Sequence, residues 1–247
     1  MGAQLDLVAT ALAWIAGAII LINSLDDLFI DLVYFVRGLG RRETRDWTVS
    51  SLRAVPQQRA AIMIPAWHEA PVIRAMLENT ISTFDYDPAR YDIFVGTYAN
   101  DPETQAEVDC VADRIAHVHK VVVPHDGPTS KADCLNWVYQ GIVQAAEARG
   151  VRFDFLVMHD AEDVVHPLAL RLYNVLIPQH DFVQTPVLPL EVPHSAWVGA
   201  TYMDEFVERH LKDLLVRSHI GGLVPSAGVG SAFARDAFEA IAITISA

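Results

Sequence analysis

From Arg59 onwards, short apolar runs alternate with stretches of helical periodicity, and this alternation restricts the fold more than any other feature. Each run is five to eight residues long, the length of a buried strand. Strands that alternate with helices form a mostly parallel sheet with helices on both faces, so we predict an α/β fold. The predicted strands are 60–65, 91–98, 120–124, 153–159 and 181–187, and the predicted helices are 69–83, 103–117, 131–149 and 196–217.

The N-terminal segment is apolar in a different way. Residues 7–25 run for nineteen positions without a charge, which is long enough to cross the hydrocarbon core of a bilayer as a helix. A signal peptide would need a basic start and a shorter apolar run, and a buried core helix is the other alternative. We therefore predict a transmembrane helix, followed by an amphipathic juxtamembrane segment that could lie along the membrane surface.

A basic cluster follows this span and predicts its orientation; it consists of Arg37, Arg41, Arg42 and Arg45. Because loops rich in Lys and Arg stay on the cytoplasmic side, we expect the N-terminus outside and the chain after residue 45 in the cytosol. The expected organisation is a membrane segment over 1–45, a polar linker over 46–58 and a domain over 59–247.

Composition narrows the class of protein further. The formal net charge of −13 argues against nucleic-acid binding, which needs a basic surface for phosphate contacts. Two cysteines, Cys110 and Cys134, are too few for a disulfide framework or a cysteine metal site, so we expect reduced core thiols in a reducing compartment.

Three carboxylates follow the fourth predicted strand within four residues: Asp160, Glu162 and Asp163. Crowded carboxylates need a counter-charge, and Mg²⁺ or Mn²⁺ with oxygen ligands and substrate phosphates is the simplest one. A solvated acidic loop that caps the next helix is the alternative. We expect the neighbouring His159 and His166 to be structural, because hard cations seldom need imidazole.

Other polar residues follow the remaining strands, where ligands of parallel sheets bind. Pro65-Ala66-Trp67-His68-Glu69 resembles the P-A-Y-N-E turn of processive, cellulose-synthase-like glycosyltransferases of family 2, and Asn100-Asp101 stands at the place of that family's first aspartate. Residues 130–136 resemble its G-K-A-x-x-L-N element, 160–163 its D-A-D or D-A-E-D metal motif, and 228–235 its G-x-x-x-x-F-R-R stretch.

The resemblance spans about residues 60–240 and implies a GT-A fold, a nucleotide-sugar donor (a UDP-sugar) and a place in the bacterial inner membrane. It implies that the 65–69 turn and Asp101 contact uracil and ribose, with the aspartate accepting a base N–H, and that Lys131 lies near the diphosphate. Asp160, with Glu162 or Asp163, would bind the cation. The implied donor-binding residues are Pro65, Ala66, Trp67, Glu69, Asp101, Lys131 and Asp160, and the implied metal ligands are Asp160, Glu162 and Asp163.

The implied reaction is inverting transfer to a glycan acceptor at the cytosolic membrane face, with export through an outer-membrane partner. The sequence shows neither the family's T-E-D motif, which carries the general base, nor its Q-x-x-R-W motif. We therefore expect the domain to be truncated, with the catalytic base beyond Ala247. A catalytically incomplete GT-A module for nucleotide binding or membrane assembly, and an unrelated metal-dependent nucleotidyltransferase, are the alternatives.

Overall fold

The computed structural model describes residues 2–40, 47–190 and 197–242. The chain divides into two compact units, Met1–Arg45 with Pro186–Pro225 and Asp46–Thr185 with Ser226–Ala247. The strands are β1 (Ala60–Pro65), β2 (Tyr91–Tyr98), β3 (Val118–Val123), β4 (Phe155–Met158), β5 (Phe182–Gln184) and β6 (Ser231–Ala234). The helices are α1 (Gly2–Arg37), α2 (Val49–Ala54), α3 (Ile73–Thr83), α4 (Pro102–Ala112), α5 (Lys131–Arg149), α6 (Ala169–Leu176), α7 (Trp197–Glu208), α8 (Leu214–His219) and α9 (Arg235–Ile241).

Within the described part of the second unit, six strands form one sheet in the order β3-β2-β1-β4-β6-β5. Strands β1 to β4 pair in parallel, whereas β6 runs antiparallel to both β4 and β5. The predicted mostly parallel α/β sheet is confirmed. The sequence does not predict β6, because the four residues Ser-Ala-Phe-Ala are too few to show a period.

Helices cover both faces of the sheet and bury its apolar side chains. On one face, α3, α4 and α6 contribute Leu77, Val108 and Leu170 to a core beneath β1 and β2. On the other face, α5 and α9 contribute Val138 and Phe238. The strands β1 and β2 are buried along almost their whole length, which explains their continuous apolar sequence.

Local start and stop signals position α5, the helix that carries Lys131. The Ser130 side chain accepts a hydrogen bond from the Asp133 N–H at 3.2 Å, and Gly150 ends the helix in the left-handed region at φ +59°. Its bounds equal those predicted. The helix α3 starts at Ile73 rather than at 69, because residues 70–72 form a turn in which the Glu69 carbonyl accepts from the Val72 and Ile73 N–H groups.

The described part of the unit of Met1–Arg45 with Pro186–Pro225 is mostly helical. One continuous helix, α1, runs through the predicted span and into the predicted amphipathic segment as far as Arg37, and 6–37 is long and apolar enough to cross a membrane. The helices α7 and α8 join through a π-helical turn, Arg209–Asp213, where one helix was predicted. Of the predicted basic cluster, Arg37 ends α1, and Arg41, Arg42 and Arg45 lie outside the described residues.

The two cysteines occupy different environments and neither forms a disulfide. Cys134 is buried on α5, as predicted, and burial raises the pKa of its thiol to about 11. Cys110 lies exposed on α4, so the prediction of a core thiol is wrong there. The predicted linker 46–58 contains the short helix α2, which begins after a Thr48 cap.

Candidate functional site

A cavity of about 330 Å³ opens at the carboxyl ends of the parallel strands, where ligands of such sheets bind. Its volume is within the range of small-molecule sites, roughly 300–1,000 Å³. Seven of the predicted site residues line it: Pro65, Ala66, Trp67, Glu69, Lys131, Asp160 and Glu162. The structure thus brings together side chains that are separated by up to 97 positions in the sequence.

The 65–69 turn forms one wall of the cavity, and its backbone is strained. The Ala66 N–H still donates to the Gly96 carbonyl at 2.8 Å, but His68 adopts φ +59°, a conformation that is costly for a residue other than glycine. The Glu69 N–H donates to the Thr104 hydroxyl at 3.0 Å. This turn presents Trp67 and Glu69 to the cavity.

Asp101 holds that turn from below and does not line the cavity. Its carboxylate accepts from the His68 N–H at 2.7 Å and from the Thr104 N–H at 3.3 Å, and the residue is 2% exposed. Burial alone would raise the pKa of Asp101, but the hydrogen bonds from Thr104 and His68 outweigh burial and lower it. The carboxylate that was predicted to accept a base N–H therefore already has two backbone donors.

An aromatic wall stands beside the turn. The rings of Trp67 and Tyr98 meet edge to face at 5.1 Å, and the Tyr98 hydroxyl lies 2.6 Å from that of Thr129. Gly127 packs so tightly beneath them that a Cβ atom would lie 2.5 Å from the Trp67 ring. Asn100 holds Gly127 in place by accepting from its N–H at 2.9 Å and donating to its carbonyl at 2.8 Å. An aspartate could not make both bonds, which explains the amide at this position.

Lys131 joins two sides of the cavity. Its ammonium group forms an ion pair with the Asp160 carboxylate and donates to the Gly228 carbonyl at 2.8 Å. Gly228 has φ +77°, and a Cβ atom there would lie 3.3 Å from the lysine nitrogen. Residues 227–230 form a glycine loop. Gln184 holds this loop by accepting from the Ala227 N–H and donating to the Val229 carbonyl, both at 2.9 Å.

The three carboxylates of the acidic loop separate into two kinds. Asp160 and Glu162 line the cavity, whereas Asp163 turns back into the loop. The Asp163 carboxylate accepts from the Asp160 N–H at 2.9 Å and lies 3.3 Å from Nδ1 of His159, which is buried. Asp163 and His159 therefore stabilise the conformation of the loop 160–163.

Negative charge accumulates in the cavity. Burial raises the pKa of Glu69, and the charges of Glu162, Asp160 and Asp101 raise it further. Among the described residues, Lys131 is the cation that contacts Asp160, and its single positive charge balances only part of the negative charge of these carboxylates. Two open carboxylates suit Mg²⁺ or Mn²⁺, which complete their shells with phosphates and water. Among the residues with described coordinates, no three His, Cys, Asp or Glu side chains form a metal cage of their own.

The sequence does not predict several residues of the site. Tyr98, Thr129 and Cys134 line the cavity, and Gln184 holds the glycine loop. Tyr98 and Gln184 are the last residues of β2 and β5, so attention to the final residue of each strand, and not only to the residues after it, would have found them.

Sequence comparisons identify the family and two similar proteins. The profile described as "Glycosyltransferase like family 2" matches residues 56–244. The chain is 46% identical over 230 residues to "Bacteriophage adsorption protein B" of Escherichia coli K12 and to "Bacteriophage N4 adsorption protein B" of E. coli O157:H7. These alignments cover 91% of this chain and 31% of each relative, so the chain spans about a third of their length.

A solved structure shares the fold. The mannosyltransferase from Pyrobaculum calidifontis, determined in complex with GDP-Man and Mn²⁺, superposes with a TM-score of 0.52 at 17% identity, over 87% of this chain and 56% of that chain. This likeness confirms the predicted GT-A architecture. Because the family profile matches well over half of the sequence, the chain belongs to glycosyltransferase family 2.

Proposed function

We propose that this chain carries the donor site of a membrane-anchored, inverting glycosyltransferase that takes a sugar from a UDP-sugar. The observation that carries the proposal is the convergence of Asp160, Glu162 and Lys131 beside an aromatic wall in one cavity. Two acidic ligands and one cation match the needs of a nucleoside diphosphate with its metal. Family membership removes the unrelated nucleotidyltransferase as an alternative.

Different residues of the cavity would contact different parts of the donor. Trp67 and Tyr98 offer apolar ring surface to the base, while Asp101 keeps the 65–69 turn in its strained shape. Lys131 offers a point charge to the diphosphate. Asp160 and Glu162 would bind Mg²⁺ or Mn²⁺, which neutralises the charge on the leaving diphosphate when it is bound.

The ion pair between Lys131 and Asp160 has a consequence for donor binding. Lys131 now neutralises the carboxylate that a cation would neutralise. Both side chains are about 40% exposed, so their pairing costs little to break. We therefore propose that Lys131 leaves Asp160 and turns to the diphosphate when the donor enters with its metal.

The membrane setting completes the proposal. Helix α1 is long and apolar enough to span a bilayer and ends in Arg37, which supports a cytosolic donor site at the inner membrane with the N-terminus outside. The acceptor is then a growing glycan at the cytosolic face, for which an outer-membrane protein would serve as export partner. The named relatives act in bacteriophage adsorption, which is consistent with an envelope glycan.

The test is a calorimetric titration of UDP with and without Mn²⁺, on the wild-type chain and on Asp160→Asn. We expect Mn²⁺ to strengthen UDP binding to the wild type. Asp160→Asn should lose more affinity than the roughly 10–100-fold that follows removal of an outer-shell partner of a metal site. Asp236→Asn is the matched control, because that carboxylate is 80% exposed and pairs with Arg152, away from the cavity lining.

Equal affinity of wild type and Asp160→Asn for UDP would refute the donor site. Sugar transfer is tested with the full-length natural protein by screening UDP-sugars for UDP release. If that protein binds UDP but releases none from any UDP-sugar, the catalytically incomplete GT-A module is favoured over the enzyme.

A further inference from the structure

An apolar turn at the end of α8 has no partner of its own within the described part of its unit. Between His219 and Arg235 the sequence contains no charge. Leu223 is 85% exposed, more than any other large apolar side chain among the described residues, and Ile220 is 50% exposed. Single exposed apolar residues are ordinary on protein surfaces, and this turn differs from them by its position beside α1.

The helical segment 209–219, which precedes the turn, pairs with α1. Lys212 contacts Asp31 at 2.5 Å, and Arg217 reaches Asp26 at 4.0 Å. Five residues forward in the segment correspond to five residues backward in α1, so the two run antiparallel. The segment therefore advances from Lys212 towards 7–25, the uncharged run of α1.

The pairing also sets the depth of the turn. Helical rise places Ile220 about 4.5 Å beyond Arg217, and thus beside the last turn of the uncharged run rather than beside its charged end. In a bilayer that α1 spans, this level is just below the headgroups. Interfacial helices bury their apolar faces to a similar depth, about 5–10 Å.

The turn is held in this position by its own backbone. Helix α8 ends in a pair of closing hydrogen bonds, from the Gly222 N–H to the Arg217 carbonyl at 2.8 Å and from the Gly221 N–H to the Ser218 carbonyl at 3.2 Å. Gly221 has φ +73°, which favours glycine. Leu223 is thus presented outwards by a defined reversal.

Basic side chains precede the apolar turn. Arg217 and His219 lie in the last turn of α8, and Arg217 is fixed by Asp213 at 2.9 Å. The ion pairs of Lys212 with Asp31 and Glu208 raise the pKa of Lys212, so it keeps its charge. An apolar tip beyond Arg217 and His219 fits a bilayer, with leucine among the acyl chains and these basic side chains near the phosphates.

We propose that the turn 220–225 inserts into the leaflet beside the end of α1 and gives the chain a second contact with lipid. The proposal rests on α1 spanning the membrane and is independent of the donor site. Pairing with α1 fixes the turn at bilayer depth, which is why we choose lipid over a protein partner.

The test places a fluorescent label at the tip of the turn in nanodiscs of phosphatidylethanolamine and phosphatidylglycerol. Leu223→Cys is made with Cys110→Ser and labelled with an environment-sensitive NBD group; Cys134 is buried with a raised pKa and does not react. Quenching is measured with aqueous iodide and with lipids that carry a nitroxide on the acyl chain. Asp204→Cys in the same background, exposed on α7, is the matched control.

We expect the label at 223 to be quenched by the nitroxide lipids and to be several-fold less sensitive to iodide than the label at 204. Iodide sensitivity equal to that of position 204 would overturn the proposal. Protection from both quenchers would also overturn it, because the turn would then lie against protein. Failure of the chain to enter nanodiscs would remove its basis in α1. None of these results depends on UDP, so they leave the donor-site proposal untouched.

Discussion

At the amino end of β2, the Asp92 carboxylate is 1% exposed and accepts hydrogen bonds from His119 at 2.7 Å and from Arg149 at 2.5 Å. At the carboxyl ends of the same sheet, Asp160 and Glu162 face an open cavity. The two places are separated by six residues of β2, roughly 20 Å. At the amino end of the sheet one carboxylate lies between two basic side chains. At the carboxyl end several carboxylates share one cavity with a single lysine among the lining residues.

The pKa values follow the same division. Burial opposes the charge of Asp92, yet the hydrogen bonds from His119 and Arg149 lower the pKa of that carboxyl. Burial and neighbouring carboxylates instead raise the pKa of Glu69. A fully paired buried carboxylate contributes to folding, whereas carboxylates that lack a counter-charge mark a place where a ligand brings it.

After Asp160→Asn, the largest effect is expected for Lys131→Gln at the carboxyl end. Loss of the charge should weaken UDP binding about 10–100-fold, since hydrogen bonds to charged groups contribute about 1.5–3 kcal/mol. The free energy of unfolding should change by less than about 1 kcal/mol, because the pair with Asp160 is partly exposed. Calorimetry and thermal denaturation measure the two quantities.

Binding of Mn²⁺ alone to Lys131→Gln separates the lysine from the metal ligands. Without its partner, Asp160 should bind the cation at least as tightly as in the wild type. A parallel loss of Mn²⁺ affinity would contradict the proposed exchange of Lys131 between Asp160 and the diphosphate.

Asp92→Asn should act on stability and not on the donor. Removing one partner of a buried pair leaves Arg149 and His119 without their carboxylate, but both are partly exposed, so we expect a loss of about 2–3 kcal/mol. Urea denaturation at several pH values measures it, and UDP affinity should stay unchanged.

The pH dependence of this loss has a definite sign. Because the folded pKa of Asp92 is lowered, the unfolded chain binds its proton more tightly, and the contribution of Asp92 is present above the unfolded pKa of about 3.9. It is lost as the pH falls through the folded pKa, so wild type and variant should converge in acid. A difference that grows below pH 4 would contradict the role given to Asp92.

Asn100→Asp is expected to have the smallest effect. A carboxylate accepts from the Gly127 N–H but cannot donate to its carbonyl, so one hydrogen bond worth about 1 kcal/mol is lost beneath Trp67. UDP affinity should fall a few-fold, with a small decrease in Tm. Tighter binding of UDP by the variant would show that position 100 contacts the nucleotide instead of supporting the aromatic wall.

Local signals and the position of polar residues after strands predict much of this molecule. Ser130 and Gly150 define α5 because caps depend on one or two residues. The rule that ligands bind at the carboxyl ends of parallel strands, together with the resemblance to the family's motifs, selects nine residues, and seven of them line one cavity.

What the sequence leaves open depends on contacts between distant residues. Asp101 is both a plausible ligand and a helix cap, and only the position of the His68 N–H shows that it holds the turn. The roles of Glu162 and Asp163 differ because the loop folds back on Asp160. The strand β6 pairs with β4 and β5 although it has no period of its own.

The most direct measurement makes the same substitution at both ends of the sheet. Mn²⁺-dependent UDP affinity and the free energy of unfolding are measured for Asp160→Asn and Asp92→Asn side by side. We predict that Asp160→Asn loses UDP binding and keeps its stability, while Asp92→Asn keeps UDP binding and loses stability. If both variants lose stability and both retain Mn²⁺-dependent UDP binding, the carboxyl end of the sheet is not the donor site.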